Sequence, residues 1–267
     1  MDNRPIGVFD SGFGGLTVAK EIMKQLPNEK IIYFGDTARI PYGSKSSETV
    51  IKYSMQIIRF LLTKDVKAIV IACNTASAMA LEAVQQHFDF PILGVVEPGV
   101  TAAIRMTKNK RIGIIGTEGT ISSGSYEKRI HNEREQIEVF STPCPLFVPL
   151  VEEGWLEDPV TEEVAKRYLK DILHHNVDTL VLGCTHYPLL TNIIGDIMGK
   201  AVTLVNPAYE TACVLEQMLI AKGLGSEASA HSHAFYVSDH ARKFEAFTKI
   251  ILEQDIQPVE QINIEQY

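Results

Sequence analysis

The chain has 267 residues, of which 45% are hydrophobic and 22% charged, with a formal net charge of −8. That length suits one large or two small globular domains, and an acidic balance without a basic run argues against a nucleic-acid surface. No apolar stretch approaches the roughly 20 residues that cross a bilayer, the opening MDNRPIGVFD predicts no signal peptide, and four cysteines without a CxxC pair predict free thiols in a reducing, cytoplasmic setting rather than a disulfide or zinc framework.

Residues 6–9 read as a first strand and the glycine-rich DSGFGG as its turn. LTVAKEIMKQL follows as a helix with Leu16, Ala19, Ile22, Met23 and Leu26 on one face. Residues 31–35 read as a second strand and DTARIPYG as its loop. Ser46 or Ser47 caps a helix running to about Lys64, with Glu48 in the first turn, where the helix dipole favours an anion. The aliphatic run ending at Cys73 is a third strand, followed by a helix to about His87 and a strand at 92–95. Residues 96–99 mark a crossing into a second unit that repeats the rhythm. It has a strand at 112–116, a helix, a strand at 137–141, a helix at 161–174, a strand at 179–183 and another helix. Residues 205–207 mark the crossing back. A helix, a flexible stretch at 225–232, a strand at 234–237 and a helix from about Ala241 complete the first unit.

The two halves are related. IGVFDSGFGG at Ile6 matches IGIIGTEGTI at Ile112, AIVIACNTAS around Cys73 matches TLVLGCTHYP around Cys184, and VEPGVTAAI at Val96 matches VNPAYETAC at Val205. These pairs stand at a nearly constant separation of about 110 residues, which indicates duplication of a domain rather than a short-period solenoid. The predicted fold is therefore α/β, with two similar parallel-sheet, flavodoxin-like domains related by pseudo-symmetry. The first comprises residues 1–96 and 207–267, the second 97–206, and the active site lies in the cleft between them.

Cys73 and Cys184 each stand where a buried strand hands over to a loop, the place where open α/β sheets carry chemistry. A single buried cysteine ordinarily packs as a small hydrophobe. A matched pair, each followed by polar residues (Asn74 and Thr75, Thr185 and His186), points instead to a reaction with two equivalent faces, such as inversion at a carbon. One thiolate takes a proton from one face and one thiol delivers a proton to the other. A free thiol has a pKa near 8.5, so each needs a helper. Asp10, at the end of the first strand, and His186, two residues past Cys184, are placed to help. Asn74, Thr75, Thr117, Thr120 and Thr185 supply neutral donors that can hold a zwitterionic amino acid, and the turn Pro41-Tyr42-Gly43 can close one side. The DSGFGG turn fails the dinucleotide fingerprint, because Thr17 stands where the third glycine belongs. Cys144 and Cys213 lack strand-end context and read as structural. His231, His233 and His240 lack a four-ligand pattern, so no metal is expected there.

DSGFGG, the loop ending PYG, CNTAS and GCTHYPLL occur in the order and spacing of bacterial glutamate racemases, and the chain resembles that family over essentially its whole length. Aspartate racemases share the two-cysteine plan but open with a Gly-Gly-Met-Gly type loop, where this chain has Asp-Ser-Gly. The resemblance implies a cofactor-independent, two-base enzyme that makes D-glutamate for peptidoglycan in the cytoplasm and forms a homodimer. It implies that Cys73 and Cys184 are the acid/base pair, assisted by Asp10 and His186 respectively. Ser11, Pro41, Tyr42, Gly43, Asn74, Thr75 and Thr185 would bind substrate, with Thr117, Thr120 and Glu152 behind them. Glutamate rather than aspartate rests on the resemblance alone, since one methylene is worth only about 1–3 kcal/mol of discrimination. The residues by themselves leave open a Cys/His thiol hydrolase, an amino-acid-binding clamshell and a pyridoxal-dependent racemase.

Overall fold

Each aliphatic run forms a strand because branched apolar side chains pack well on a sheet covered on both faces. The structure, a computed structural model, describes residues 1–227, 232–253 and 259–267. The strands are β1 (Ile6–Asp10), β2 (Ile31–Gly35), β3 (Ala68–Ile71), β4 (Ile92–Gly94), β5 (Arg111–Gly116), β6 (Glu138–Pro143), β7 (Thr179–Gly183), β8 (Thr203–Val205), β9 (Ala234–Val237) and β10 (Glu260–Gln261). The helices are α1 (Leu16–Gln25), α2 (Ser47–Leu62), α3 (Asn74–His87), α4 (Val96–Met106), α5 (Glu118–Ser122), α6 (Ser125–Glu133), α7 (Phe147–Glu152), α8 (Pro159–His174), α9 (Thr191–Met198), α10 (Pro207–Ala221) and α11 (Ala241–Leu252).

The strands form two sheets, ordered β10-β9-β2-β1-β3-β4 and β6-β5-β7-β8, with parallel pairing throughout. The stretch β2-β1-β3-β4 has the connectivity of β6-β5-β7-β8, so the duplication seen in the sequence is a duplication of topology. In each, the chain starts on an inner strand, winds to one side, then crosses to the other. This places a topological switch point at the carboxyl ends of β1 and β3 and a second at those of β5 and β7. Phe9 pairs with Ile71 and Gly116 with Gly183, so Asp10, Cys73, Thr117 and Cys184 all emerge at these switch points. One apolar cluster joins the two halves, running from Phe13 and Leu16 to Phe147, Leu182 and Tyr187. The returning C-terminal segment adds β9 beside β2 and β10 outside β9.

Several expectations needed adjustment. Ser46, rather than Ser47, caps α2, its hydroxyl accepting from the Thr49 N–H at 3.3 Å. The crossing at 96–99 is the first turn of α4, whose Val96, Val100 and Ala103 pack against Ile112 and Val181 of the second sheet. The single helix expected after β5 is two, α5 and α6, separated by Gly124 in a left-handed conformation (φ 63°). Between β6 and α8 the chain inserts α7, and β8 precedes the crossing back as a fourth strand. The expected flexible stretch at 225–232 falls partly on 228–231, outside the described residues. Just before them Ser226 is tied down, its N–H donating to Glu29 Oε1 at 2.9 Å.

Candidate active site

The turn after β1 carries Asp10 and Ser11. Asp10 is fully buried, and its Oδ2 accepts from the Gly12 N–H at 2.9 Å. Burial raises its carboxyl pKa, against the opposing pull of the His186 charge and the N–H groups of Gly12, Gly15 and Ser11. Two glycines here are dictated by close approach. A Cβ on Gly15 would land on the Asp10 side chain, and one on Gly14 would land on Thr185 and His186. Bare backbone at Gly14 therefore lets the turn of the first half touch the Thr185–His186 loop of the second. Thr17 of α1 reinforces that contact, its hydroxyl donating to the Thr185 carbonyl at 3.1 Å.

Cys73 follows β3 and caps α3, its sulfur accepting from the Ala76 N–H at 3.4 Å and lying 3.5 Å from Ser11 Oγ. Burial first, and then the charge of Asp10, push its pKa up to about 12, while the contacts from Ser11 and Ala76 act in the opposite direction. Among the described residues Asp10 makes no hydrogen bond to Cys73; the sequence pairs them as assistant and base, and in this arrangement the carboxylate's charge opposes the thiolate.

Cys184 follows β7, with its sulfur 3.7 Å from His186 Nδ1. The other ring nitrogen, Nε2, lies 3.3 Å from Glu152 Oε1, a charge contact rather than an aligned hydrogen bond. Burial alone would lower the His186 pKa. The Cys184 sulfur, the Glu152 carboxylate and the charge of Asp10 outweigh it and raise the pKa to about 10. The imidazole is therefore cationic at neutral pH and sits beside Cys184. Glu152 is also 3.8 Å from Lys243 of α11, which brings the C-terminal segment to the edge of the site.

Neutral donors complete the site. The hydroxyls of Thr75, Thr117 and Thr120 form a triangle with edges of 2.9, 3.2 and 3.1 Å that joins α3 to the start of α5. Tyr42 is held from behind by its hydroxyl bond to the buried Asp36, which also accepts from Arg39 Nε at 2.7 Å. These groups surround a cavity of about 330 Å³. Of the residues singled out in the sequence, Ser11, Pro41, Tyr42, Gly43, Cys73, Asn74, Thr75, Thr117, Glu152, Cys184, Thr185 and His186 line it. Asp10 and Thr120 are not among the lining residues: each is buried one layer behind, Asp10 under the Ser11–Gly12 turn and Thr120 under Thr75 and Thr117. The structure adds Gly12, Ile40, Ser44, Glu118, Pro145, Val148 and Pro149 to the wall. Val148 and Pro149 come from α7, too short to leave a periodic signal.

Residues 6–212 match the model of a family described as Asp/Glu/Hydantoin racemase. The chain belongs to that family. Within it, the chain is 52% identical over 240 residues to a glutamate racemase of Geobacter metallireducens, covering 90% of this chain and 89% of the relative. The fold is similar to that of a solved glutamate racemase isoform from Bacillus anthracis, with a TM-score of 0.95 at 40% identity over 98% of each chain. It is equally similar to glutamate racemase from Francisella tularensis solved in complex with D-glutamate, with a TM-score of 0.94 at 42% identity over 100% of each chain. The expectation of a two-sheet α/β racemase is thus met.

The two thiols are equally hidden, with 5% and 6% of their residues exposed, so access does not distinguish them. Charge does: Cys73 faces a carboxylate that suppresses its ionisation, and Cys184 faces a cation. A small alkylating reagent at neutral pH is therefore expected to modify Cys184 before Cys73, whose ionisation burial and Asp10 suppress, as read by peptide mass spectrometry. Labelling of Cys73 first, or of both at one rate, would contradict this asymmetry.

Proposed function

We propose that this racemase-family protein interconverts L- and D-glutamate by passing the α-proton between two thiols, and so supplies D-glutamate for peptidoglycan. The observation that carries this reading is that Cys73 and Cys184 stand at equivalent strand ends in two duplicated halves and line one cavity. One sulfur takes the α-proton as thiolate; the other, as thiol, gives its proton to the opposite face of the carbon. After turnover the roles are exchanged, and the balance closes without any other reactant. The electrostatics favour a resting state in which Cys73 is the thiol and His186 is the cation. Ser11, Asn74, Thr75 and Thr185 offer hydroxyl and amide donors to the substrate's carboxylates, and Glu152 orients His186. A cavity of about 330 Å³ is at the small end of ligand sites, which suits an amino acid.

The choice of glutamate is supported by the relatives' names and by D-glutamate in the Francisella tularensis structure. We further infer a homodimer working in the cytoplasm on the free amino acid, with no nucleic-acid or membrane partner; the family resemblance supports it. No helix among the described residues is long and apolar enough to cross a membrane. The test is to follow optical rotation of L-glutamate, D-glutamate and both aspartates with dialysed protein. Loss of rotation from both glutamates, with aspartate slower by about 100-fold, is expected. A faster reaction with aspartate would move the assignment to that substrate. No racemisation, with a covalent acyl group on Cys184, would replace the reading with a thiol hydrolase.

A further inference from the structure

The two thiols sit on different halves of the molecule, and one side chain that the sequence reading did not single out touches the neighbour of each. Tyr126, the second residue of α6, is buried. Its ring lies between Gly99 of α4 and Gly183, the last residue of β7, immediately before Cys184; a Cβ at either glycine would stand 3.4 Å from the ring edge. Its hydroxyl donates to Asn74 Oδ1 at 2.6 Å, and Asn74 immediately follows Cys73 on the cavity wall. Burial raises the Tyr126 pKa, so the phenol keeps the proton that it donates to Oδ1.

An asparagine amide has one acceptor end and one donor end of almost the same shape, and only its partners decide which faces where. Here the phenol occupies the acceptor end. What remains of Asn74 for the cavity is the Nδ2 amine, the end that can donate to a carboxylate. With no hydroxyl at position 126, a turn of the amide about its last bond would present oxygen to an anionic substrate instead.

We propose that Tyr126 is a positioning residue for the racemase: it fixes the Asn74 amide with its donor end toward the substrate, while its ring keeps Asn74 in register with the Gly183–Cys184 strand end. This rests on the glutamate racemase reading above. The test compares wild type, Tyr126→Phe, Asn74→Ala and the double variant, with KM and kcat measured for both glutamate enantiomers and thermal unfolding recorded for each. KM does not depend on the fraction of protein that is folded, and phenylalanine keeps the ring between the two glycines. Tyr126→Phe is expected to raise KM about tenfold with a smaller change in kcat. Asn74→Ala is also expected to raise KM, and adding Tyr126→Phe to it is expected to change KM no further, because the hydroxyl acts through the amide. An unchanged KM in Tyr126→Phe, or effects that add in the double variant, would overturn the inference while leaving the racemase reading intact. A wild type that does not racemise glutamate would overturn both.

Discussion

Replacing either Cys73 or Cys184 by serine is expected to lower kcat/KM for racemisation by at least about 10³-fold, the range of a lost general acid or base. Serine preserves the size and the hydrogen bonds of each site but not the acidity, so the change tests chemistry rather than packing. Cys73→Ser keeps the hydroxyl within reach of Ser11 and the Ala76 N–H, and Cys184→Ser keeps it near His186. Each variant retains one thiol and therefore one face of the α-carbon. In D₂O, each is expected to exchange the α-proton of one enantiomer without inverting it, and the two variants are expected to act on opposite enantiomers. NMR of the α-proton, with chiral separation of the recovered amino acid, measures both quantities. Racemisation by either variant within about tenfold of wild type would be incompatible with two obligatory thiols.

His186→Asn is expected to be the next most damaging change, with a loss of about 100-fold in kcat/KM. The imidazolium stands 3.7 Å from Cys184 and is the cation beside that sulfur. Two enantiomers have equal free energy in water, so the equilibrium constant is unity and kcat/KM must fall by the same factor in both directions. Unequal effects can appear only in kcat and KM separately. The raised pKa also has a stability consequence. A histidine titrates near 6.5 when unperturbed and at about 10 in this fold. The folded state therefore favours the charged form, and the stabilisation is complete below about pH 6.5 and is lost as pH rises through about 10. Thermal unfolding of wild type is expected to weaken, relative to His186→Asn, between those limits. A parallel pH dependence of the two proteins would show that His186 is not held as a cation.

Much of this site was legible from residue order because its physics is local. A continuous aliphatic run closed by Cys-Asn-Thr or Cys-Thr-His marks a buried strand and its carboxyl end, and the repeat of that pattern implies a second switch point. Partners brought together across the chain were not legible. The Tyr126 hydroxyl and Asn74 are 52 residues apart, and nothing in SYEKRI distinguishes this tyrosine from a core aromatic. Pairing Cys73 with Asp10 followed from the two being at adjacent strand ends; the depth of Asp10, which makes its charge a hindrance to the thiolate, depends on the turn folded over it. The short elements α5, α7, β8 and β10 escaped because five or six helical residues repeat a period too few times to show a stripe, and two or three strand residues fall short of the four to eight that mark a strand. Gly14 read as part of a turn, whereas its reason is the approach of Thr185 and His186 from the other half.

The central claim, transfer of the proton between two distinct sulfurs, is tested most directly by starting wild-type turnover from unlabelled L-glutamate in D₂O and stopping at low conversion. Chiral separation and mass spectrometry then give the deuterium content of each enantiomer. Two thiols on opposite faces predict D-glutamate carrying one deuterium at the α-carbon while the remaining L-glutamate stays unlabelled, with the mirror result from D-glutamate. Product that keeps the original proton, or substrate labelled as fast as product forms, would mean that one group serves both faces and would contradict the account.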